Sequence, residues 1–356
     1  MKDIFKLLLI VFMTLFETKV FAYDVAVENE DGVTIYYNYI SKGLTVTYGN
    51  PENGTYKGNV VIPQTVIYDD KTFSVVAIGI SAFKGCSELT SITIPNTINY
   101  IYSNAFDGCI NLASLTIEDG DIELSSIANF KDCPLEYVYM GRNITDKNNK
   151  PFRDKTTITE LVIGNKVTSI EHYAFYGCTG LTSATIPNSV NEIGVLAFEN
   201  CSNLNSLIIE KGDSLLSFMF SPEENPKPTF DGCPINSLYL GRNIICLNSY
   251  YLSKGTESPF KNNETLTSLT ISNNVMKLGG CEFDGCTGLK SLTIEDGDST
   301  ISLGEWKSAI KDCPLGRLYT WDVTLPIMLL LLLRKMMEKY MCQVMIHLLG
   351  KKLCRR

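Results

Sequence analysis

Ala82-Phe83-Lys84-Gly85-Cys86-Ser87-Glu88-Leu89-Thr90-Ser91-Ile92-Thr93-Ile94-Pro95-Asn96 holds two signals that together set the architecture. Its second half sets Ile92 and Ile94 against Ser91 and Thr93. Successive strand side chains point to opposite faces, so this is a strand with one buried side. Its first half, Ala-Phe-x-Gly-Cys, returns at Ala105–Cys109 and Ala174–Cys178, and as Ala-Phe-Glu-Asn-Cys at Ala197–Cys201. Phe83 and Phe106 stand 23 residues apart. Weaker copies centre on Phe130, Phe152, Phe230, Phe260, Phe283 and Ile310, about ten rungs in all. Insertions such as Ser221 to Pro228 lengthen two of the steps.

The same leucine-rich strand follows the other copies, as in Leu112–Ile117, Leu181–Ile186, Leu204–Ile209, Leu266–Ile271 and Leu289–Ile294. A single rung cannot bury its apolar face, so neighbours must stack into a continuous core. Four rung types also alternate. Ile-Pro-Asn rungs (Ile94-Pro95-Asn96, Ile186-Pro187-Asn188) precede Gly-Asp rungs (Gly120-Asp121, Gly212-Asp213). Next come Cys-Pro rungs (Cys133-Pro134, Cys233-Pro234), then Pro-Phe rungs (Pro151-Phe152, Pro259-Phe260). The expected fold is a β-rich solenoid with one short strand per rung of about 23 residues, short helical or turn segments on the convex side, and an N-terminal β cap.

Over Val76 to Tyr319 these motifs resemble the BspA-like leucine-rich repeats of secreted and surface proteins, especially in the Bacteroides group. One Ala-Phe-x-Gly-Cys would mean little; its recurrence in register makes the signal specific. The resemblance implies a leucine-rich-repeat solenoid used for adhesion or ligand binding, not catalysis.

The expected organisation is a signal peptide over 1–22, the cap over 23–75, the solenoid over 76–319 and an aberrant basic, Leu-rich tail over 320–356. Lys2 and Lys6 form a positive n-region, Leu7 to Phe16 an apolar core and Val20-Phe21-Ala22 a cleavage site. The apolar run is short for a spanning helix, and no Cys after Ala22 offers a lipid anchor. Val33–Tyr37 and Leu44–Tyr48 alternate like strands, with Gly49-Asn50-Pro51 as a turn, and such a segment would shield the open end of the first rung.

At the other end, Cys313-Pro314-Leu315-Gly316-Arg317-Leu318-Tyr319 runs into Thr320-Trp321-Asp322-Val323-Thr324. Read two nucleotides later, the codons for that peptide allow Leu-Gly-Arg-Asn, the continuation seen at Leu240–Asn243, so the tail reads as a frameshift. Resequencing the coding DNA from Tyr319 to Arg334 tests this. A membrane-active amphipathic tail and a divergent partner helix are the competing readings.

Composition excludes several functions. A net charge of −8 opposes non-specific binding to nucleic acid or anionic lipid. With two histidines, His172 and His347, no Ser-His-Asp or Cys-His constellation assembles, and no Gly-rich phosphate loop opens a helix. No catalytic residue, metal or cofactor is expected. Of the twelve cysteines, Cys86, Cys109, Cys133, Cys178, Cys201, Cys233, Cys286 and Cys313 share one rung position and read as buried thiols rather than disulfides or zinc ligands. Cys246 and Cys281 lie off that position, and both a disulfide and free thiols stay open. The acidic turns Glu118–Asp121 and Glu295–Asp298 read as turn chemistry, with calcium as the alternative.

Binding is then expected on the outward strand positions, from Ser91 and Thr93 to Ser291 and Thr293. Tyr137, Tyr139, Arg142, Tyr239, Arg242 and Tyr319 are the candidate contacts, because Tyr and Arg are enriched among interface hot spots. The partner is an extracellular or host protein, or a surface glycan, met by a secreted or cell-surface chain with no spanning segment after signal cleavage. A structural component of the cell envelope is the remaining class.

Overall fold

The computed structural model describes residues 23–49, 55–220, 227–248, 258–276, 283–295 and 313–314. The expected signal peptide, the tail, Tyr319, Cys281, the rung of Ile310 and the turn at 296–298 lie outside the described residues.

Among the described residues six strands come first: β1 (Val25–Glu28), β2 (Thr34–Ile40), β3 (Gly43–Thr47), β4 (Gly58–Val61), β5 (Thr65–Tyr68) and β6 (Lys71–Ile78). β1, β2 and β3 pair antiparallel, β3 then pairs parallel with β6, and β5 folds back on β6. β4 leaves this group and pairs parallel with β7 (Leu89–Ile94). Just ahead of β4, Tyr56 is fully buried, its ring centroid 4.5 Å from that of Phe83 and its hydroxyl donating to the Thr47 carbonyl at 2.5 Å. The amino-terminal segment therefore supplies a strand and an aromatic ring to the stack.

Onward the chain runs through β8 (Tyr100–Ile101), β9 (Ser114–Ile117), β10 (Tyr137–Met140), β11 (Glu160–Ile163), β12 (Ser169–Ile170), β13 (Ser183–Ile186) and β14 (Glu192–Ile193). It continues as β15 (Ser206–Ile209), β16 (Leu216–Phe220), β17 (Ser237–Leu240), β18 (Ile244–Asn248), β19 (Ser268–Ile271) and β20 (Ser291–Ile294). One face carries two parallel sheets, β4-β7-β9-β10-β11 and β13-β15-β17-β19-β20. The other carries β12-β14-β16-β18, with β8 on β6 and isolated bridges at Tyr100–Ser126 and Leu124–Ile144. Between them the rungs pass through turns, and there is no α-helix among the described residues. The expected choice of helical or turn segments thus resolves to turns and short strands.

Register explains the sequence pattern. Ser91 pairs with Ser114 and Ser114 with Tyr137, so Ile92, Leu115 and Val138 stack inward and are fully buried. The insertions lengthen two steps without disturbing this order: Ser206 pairs with Ser237, and Ser237 with Ser268. Phe83, Phe106, Phe130, Phe152, Phe175, Phe198, Phe230, Phe260 and Phe283 form one buried column, with neighbouring centroids 4.9 to 6.3 Å apart and rings near parallel. Offset stacking of that kind adds to the burial of each ring.

Two residues after the Phe the backbone turns left-handed, at Gly85, Gly108, Gly177, Gly232 and Gly285. Gly, Asn and Asp take that conformation most cheaply, and Asp154, Asn200 and Asn262 hold it in three rungs that lack the Gly; Asp132 in the Phe130 rung does not adopt it. One residue later the Cys is buried and its thiol donates to the Phe carbonyl of the preceding rung, as from Cys109 to Phe83 and from Cys178 to Phe152, both at 3.0 Å. Burial pushes the Cys86 and Cys178 thiols above the ordinary range.

Both faces are interrupted at one junction. No ladder joins β11 to β13, nor Ile144 to β12. In the preceding residues a bond recurs from rung to rung, Ala113 N to Thr90 O, Glu136 N to Ala113 O, Thr159 N to Glu136 O and Asn205 N to Thr182 O, and Thr182 N lacks it. Ala184 stands here in the inward position that Leu161 and Leu207 hold on either side. The turn edge stays joined, through the Phe152–Phe175 stack and the bond from Asp154 N to Tyr176 O at 2.7 Å.

Candidate binding face

Outward side chains of the strand face form two columns, because each strand of the solenoid presents two residues to solvent. The outer column runs from Asn59 and Ser91 through Ser114, Tyr137, Glu160, Ser183 and Ser206 to Ser291. The inner one is more apolar in its middle: Tyr139, Val162, Thr185, Ile208 and Tyr239 follow one another, and Ile208 is 41% exposed. Tyr139 and Tyr239 are four strands apart, with the junction between β11 and β13 among the steps that separate them.

The two tyrosines are held by acids, Tyr139 by one that follows the adjacent strand β9 and Tyr239 by one that follows β20, two strands away. The Tyr139 hydroxyl donates to Asp119 Oδ1 at 2.9 Å, and burial together with that carboxylate pushes its pKa up to about 12. The Tyr239 hydroxyl donates to Glu295 Oε1 at 3.1 Å, and Glu295 is in turn paired with Lys211 at 2.7 Å, which holds its carboxyl below the usual range. Both rings are half-buried, with an aromatic edge on the face and the polar tip already satisfied. Tyr137 is half-buried in the other column.

Arg142 and Arg242 require a correction: both are fully buried and belong to the interior, not to the exposed face. Each guanidinium runs back across a whole rung. Arg142 donates to the carbonyls of Pro95 at 2.9 Å, Asn96 at 2.9 Å and Ile122 at 3.2 Å. Arg242 repeats the pattern with Pro187 and Asn188, both at 2.9 Å, and the Ser214 hydroxyl at 3.2 Å. The intervening glycine lets the turns pack closely: a Cβ on Gly120 would lie 2.8 Å from Asn96 Cβ, while Arg142 Cδ at 3.5 Å would be in ordinary contact. The order of rung types now has a physical reason. Ile-Pro-Asn rungs supply carbonyls, Gly-Asp rungs set a glycine against the preceding Asn, and Cys-Pro rungs send back the arginine. A buried charge is tolerated only when hydrogen-bonded, and burial still lowers the Arg142 pKa to about 10.

Several residues carry structure that spacing did not reveal. Asp146 is buried; burial raises its carboxyl, but bonds from Ile127 N, Asn148 N and Asn149 outweigh this and hold it below the ordinary value. Lys155 is 9% exposed and occupies the rung position of the cysteines. Tyr100 and Tyr102, each 41% exposed with centroids 4.5 Å apart, form an aromatic patch beside β8 on the opposite face. The first acidic turn is engaged by protein: Glu118 by Gln64, Asp119 by Tyr139 and Asp121 by Lys166 at 2.9 Å. Among the described residues no group of three or more His, Cys, Asp or Glu is placed to hold a metal, and no helix is long and apolar enough to cross a membrane.

The BspA type leucine-rich repeat region matches the chain in six copies, over residues 76–205, 126–255 and 256–315. No curated protein matches the sequence. Among solved structures, a leucine-rich repeat protein from Bacteroides ovatus is 19% identical, with 82% of this chain and 81% of that one covered and a TM-score of 0.35. A leucine rich cell surface protein from Faecalibacterium prausnitzii is 17% identical over 80% of this chain and 97% of its own, with a TM-score of 0.30. The leucine-rich repeat protein of T. pallidum is 19% identical over 72% and 87%, with a TM-score of 0.31.

Proposed function

The chain belongs to the BspA-type leucine-rich-repeat family, and from that premise we propose a non-catalytic binding protein, exported by residues 1–22, that engages a protein partner through its strand face. The observation that carries this reading is the inner column Tyr139, Val162, Thr185, Ile208 and Tyr239: an apolar stripe ending in two anchored aromatics, flanked by hydroxyls. Rigid aromatics with satisfied polar tips lose little entropy on docking, and such residues dominate protein interfaces. Tyr137 joins them from the outer column. Arg142 and Arg242 act indirectly, by fixing the turns that carry Asp119 and the neighbouring strand ends. Tyr319 belongs to the same proposal by its place in the repeat. The segment 23–75 serves as the cap, closing the first rung with β4 and Tyr56.

The test is a panel of extracellular and host-surface proteins and surface glycans probed with the wild type and with Tyr139→Ala/Tyr239→Ala. The double variant is expected to lose at least about tenfold in affinity for a protein partner, the scale of a modest hot spot, with its thermal unfolding unchanged. Unchanged affinity removes this face from the account, and selective loss of glycan binding replaces the protein partner with a sugar.

A further inference from the structure

The column of Phe carbonyls is served in every described rung but one. Thiols of Cys109, Cys133, Cys178, Cys201, Cys233, Cys286 and Cys313 donate to Phe83, Phe106, Phe152, Phe175, Phe198, Phe260 and Phe283 in turn. At the first Pro-Phe rung the position is Lys155, whose ammonium donates to the carbonyls of Phe130, Lys131 and Cys133, the last two at 3.1 Å. In the matching rung of the next super-repeat it is Asn263. Thr157 and Thr265 confirm the correspondence, since their hydroxyls donate to the Leu135 and Ile235 carbonyls at 2.6 and 3.1 Å.

Asparagine is too short to replace the ammonium. Its Nδ2 reaches the Cys233 carbonyl at 3.3 Å, while its Oδ1 is held by the amides of Thr265 and Leu266. The Phe230 carbonyl consequently receives no side-chain donor from the next rung among the described residues. A cavity of about 310 Å³ opens at this point between the two rungs, lined among others by Phe230, Asp231, Cys233, Pro234, Pro259 and Glu264.

We propose that this cavity binds a primary alkylammonium group, seated against the Phe230 and Cys233 carbonyls as Lys155 seats its own ammonium one super-repeat earlier. A carbonyl has two acceptor lone pairs, so Cys233 can serve both Asn263 and a ligand. The Pro234 and Pro259 rings offer an apolar wall to the methylene stem, as long cationic side chains require. Asp231, which also pairs with Lys227 at 3.6 Å, and Glu264 set negative charge at the cavity against the single cation Lys261 that lines it. The site lies at the turn edge and does not depend on the reading of the strand face.

Titration of the full chain with n-butylammonium, followed by thermal unfolding, tests the proposal, with Nα-acetyl-lysine amide standing for a partner's lysine and potassium chloride at matched ionic strength as the inorganic comparison. A saturable rise in Tm of about 1–3 °C at ten times the half-saturating concentration is expected for the amine and not for potassium. Response to both amines assigns a protein lysine as a competent source, and response to n-butylammonium alone assigns a free amine. Asn263→Lys, which brings its own ammonium, and Asn263→Leu, which fills the space without charge, are both expected to abolish the rise. No saturable shift with either amine, an equal shift with potassium, or an undiminished shift in either variant would overturn it.

Discussion

Residue identity at three positions per rung sets the local geometry, and arginine shows how far a sequence pattern reaches. The recurrence of Arg142 and Arg242 is legible from spacing alone, but their direction is not. A residue just past a strand end can face solvent or thread inward, and the outcome here depends on carbonyls two rungs away. Replacing Arg142 with Met keeps the stem and leaves the Pro95, Asn96 and Ile122 carbonyls without their donor, so denaturant unfolding is expected to show a loss of about 3 kcal/mol or more. Lys in its place restores little, because a single ammonium cannot copy the planar fork. A second position runs the other way. Leu196 has a φ of 55°, in the left-handed region, where the corresponding residue of another rung is Asn104 at 58°. Leu196→Asn relieves a conformation that Asn adopts more readily, and a gain of about 1 kcal/mol is expected in the same measurement.

Among elements, the strands after each Phe are readable because inward and outward residues alternate in every copy, and the register preserves that alternation across the insertions. Less legible is β4, which enters the stack without an Ala-Phe-x-Gly signature; Tyr56 alone, placed by its hydroxyl bond to Thr47, takes the aromatic position. The interruption between β11 and β13 was equally hidden, since Ala184 differs from its neighbours only in volume. That junction has a measurable consequence. Thr182 and Asn205 are both exposed and hold matching positions, but only Asn205 N is bonded to the preceding rung. Native-state hydrogen exchange is expected to find the Thr182 amide at least about tenfold faster than Asn205. Equal protection of the two would show that the ladder continues across the junction.

At the scale of the whole molecule, stacking makes stability a sum over neighbouring rungs and frees the outward columns from the work of folding. The serines and threonines there are replaceable by the physics of the fold; Tyr139, Ile208 and Tyr239 expose apolar surface that folding alone does not ask for. The opposite face provides the natural comparison, because Tyr100 and Tyr102 form an exposed aromatic pair outside the two columns. The most direct measurement is the affinity of one partner for three proteins: the wild type, Tyr139→Ala/Tyr239→Ala and Tyr100→Ala/Tyr102→Ala. A loss of about tenfold or more is expected in the strand-face variant alone; a loss confined to the opposite-face variant would place the binding surface on the other side of the solenoid.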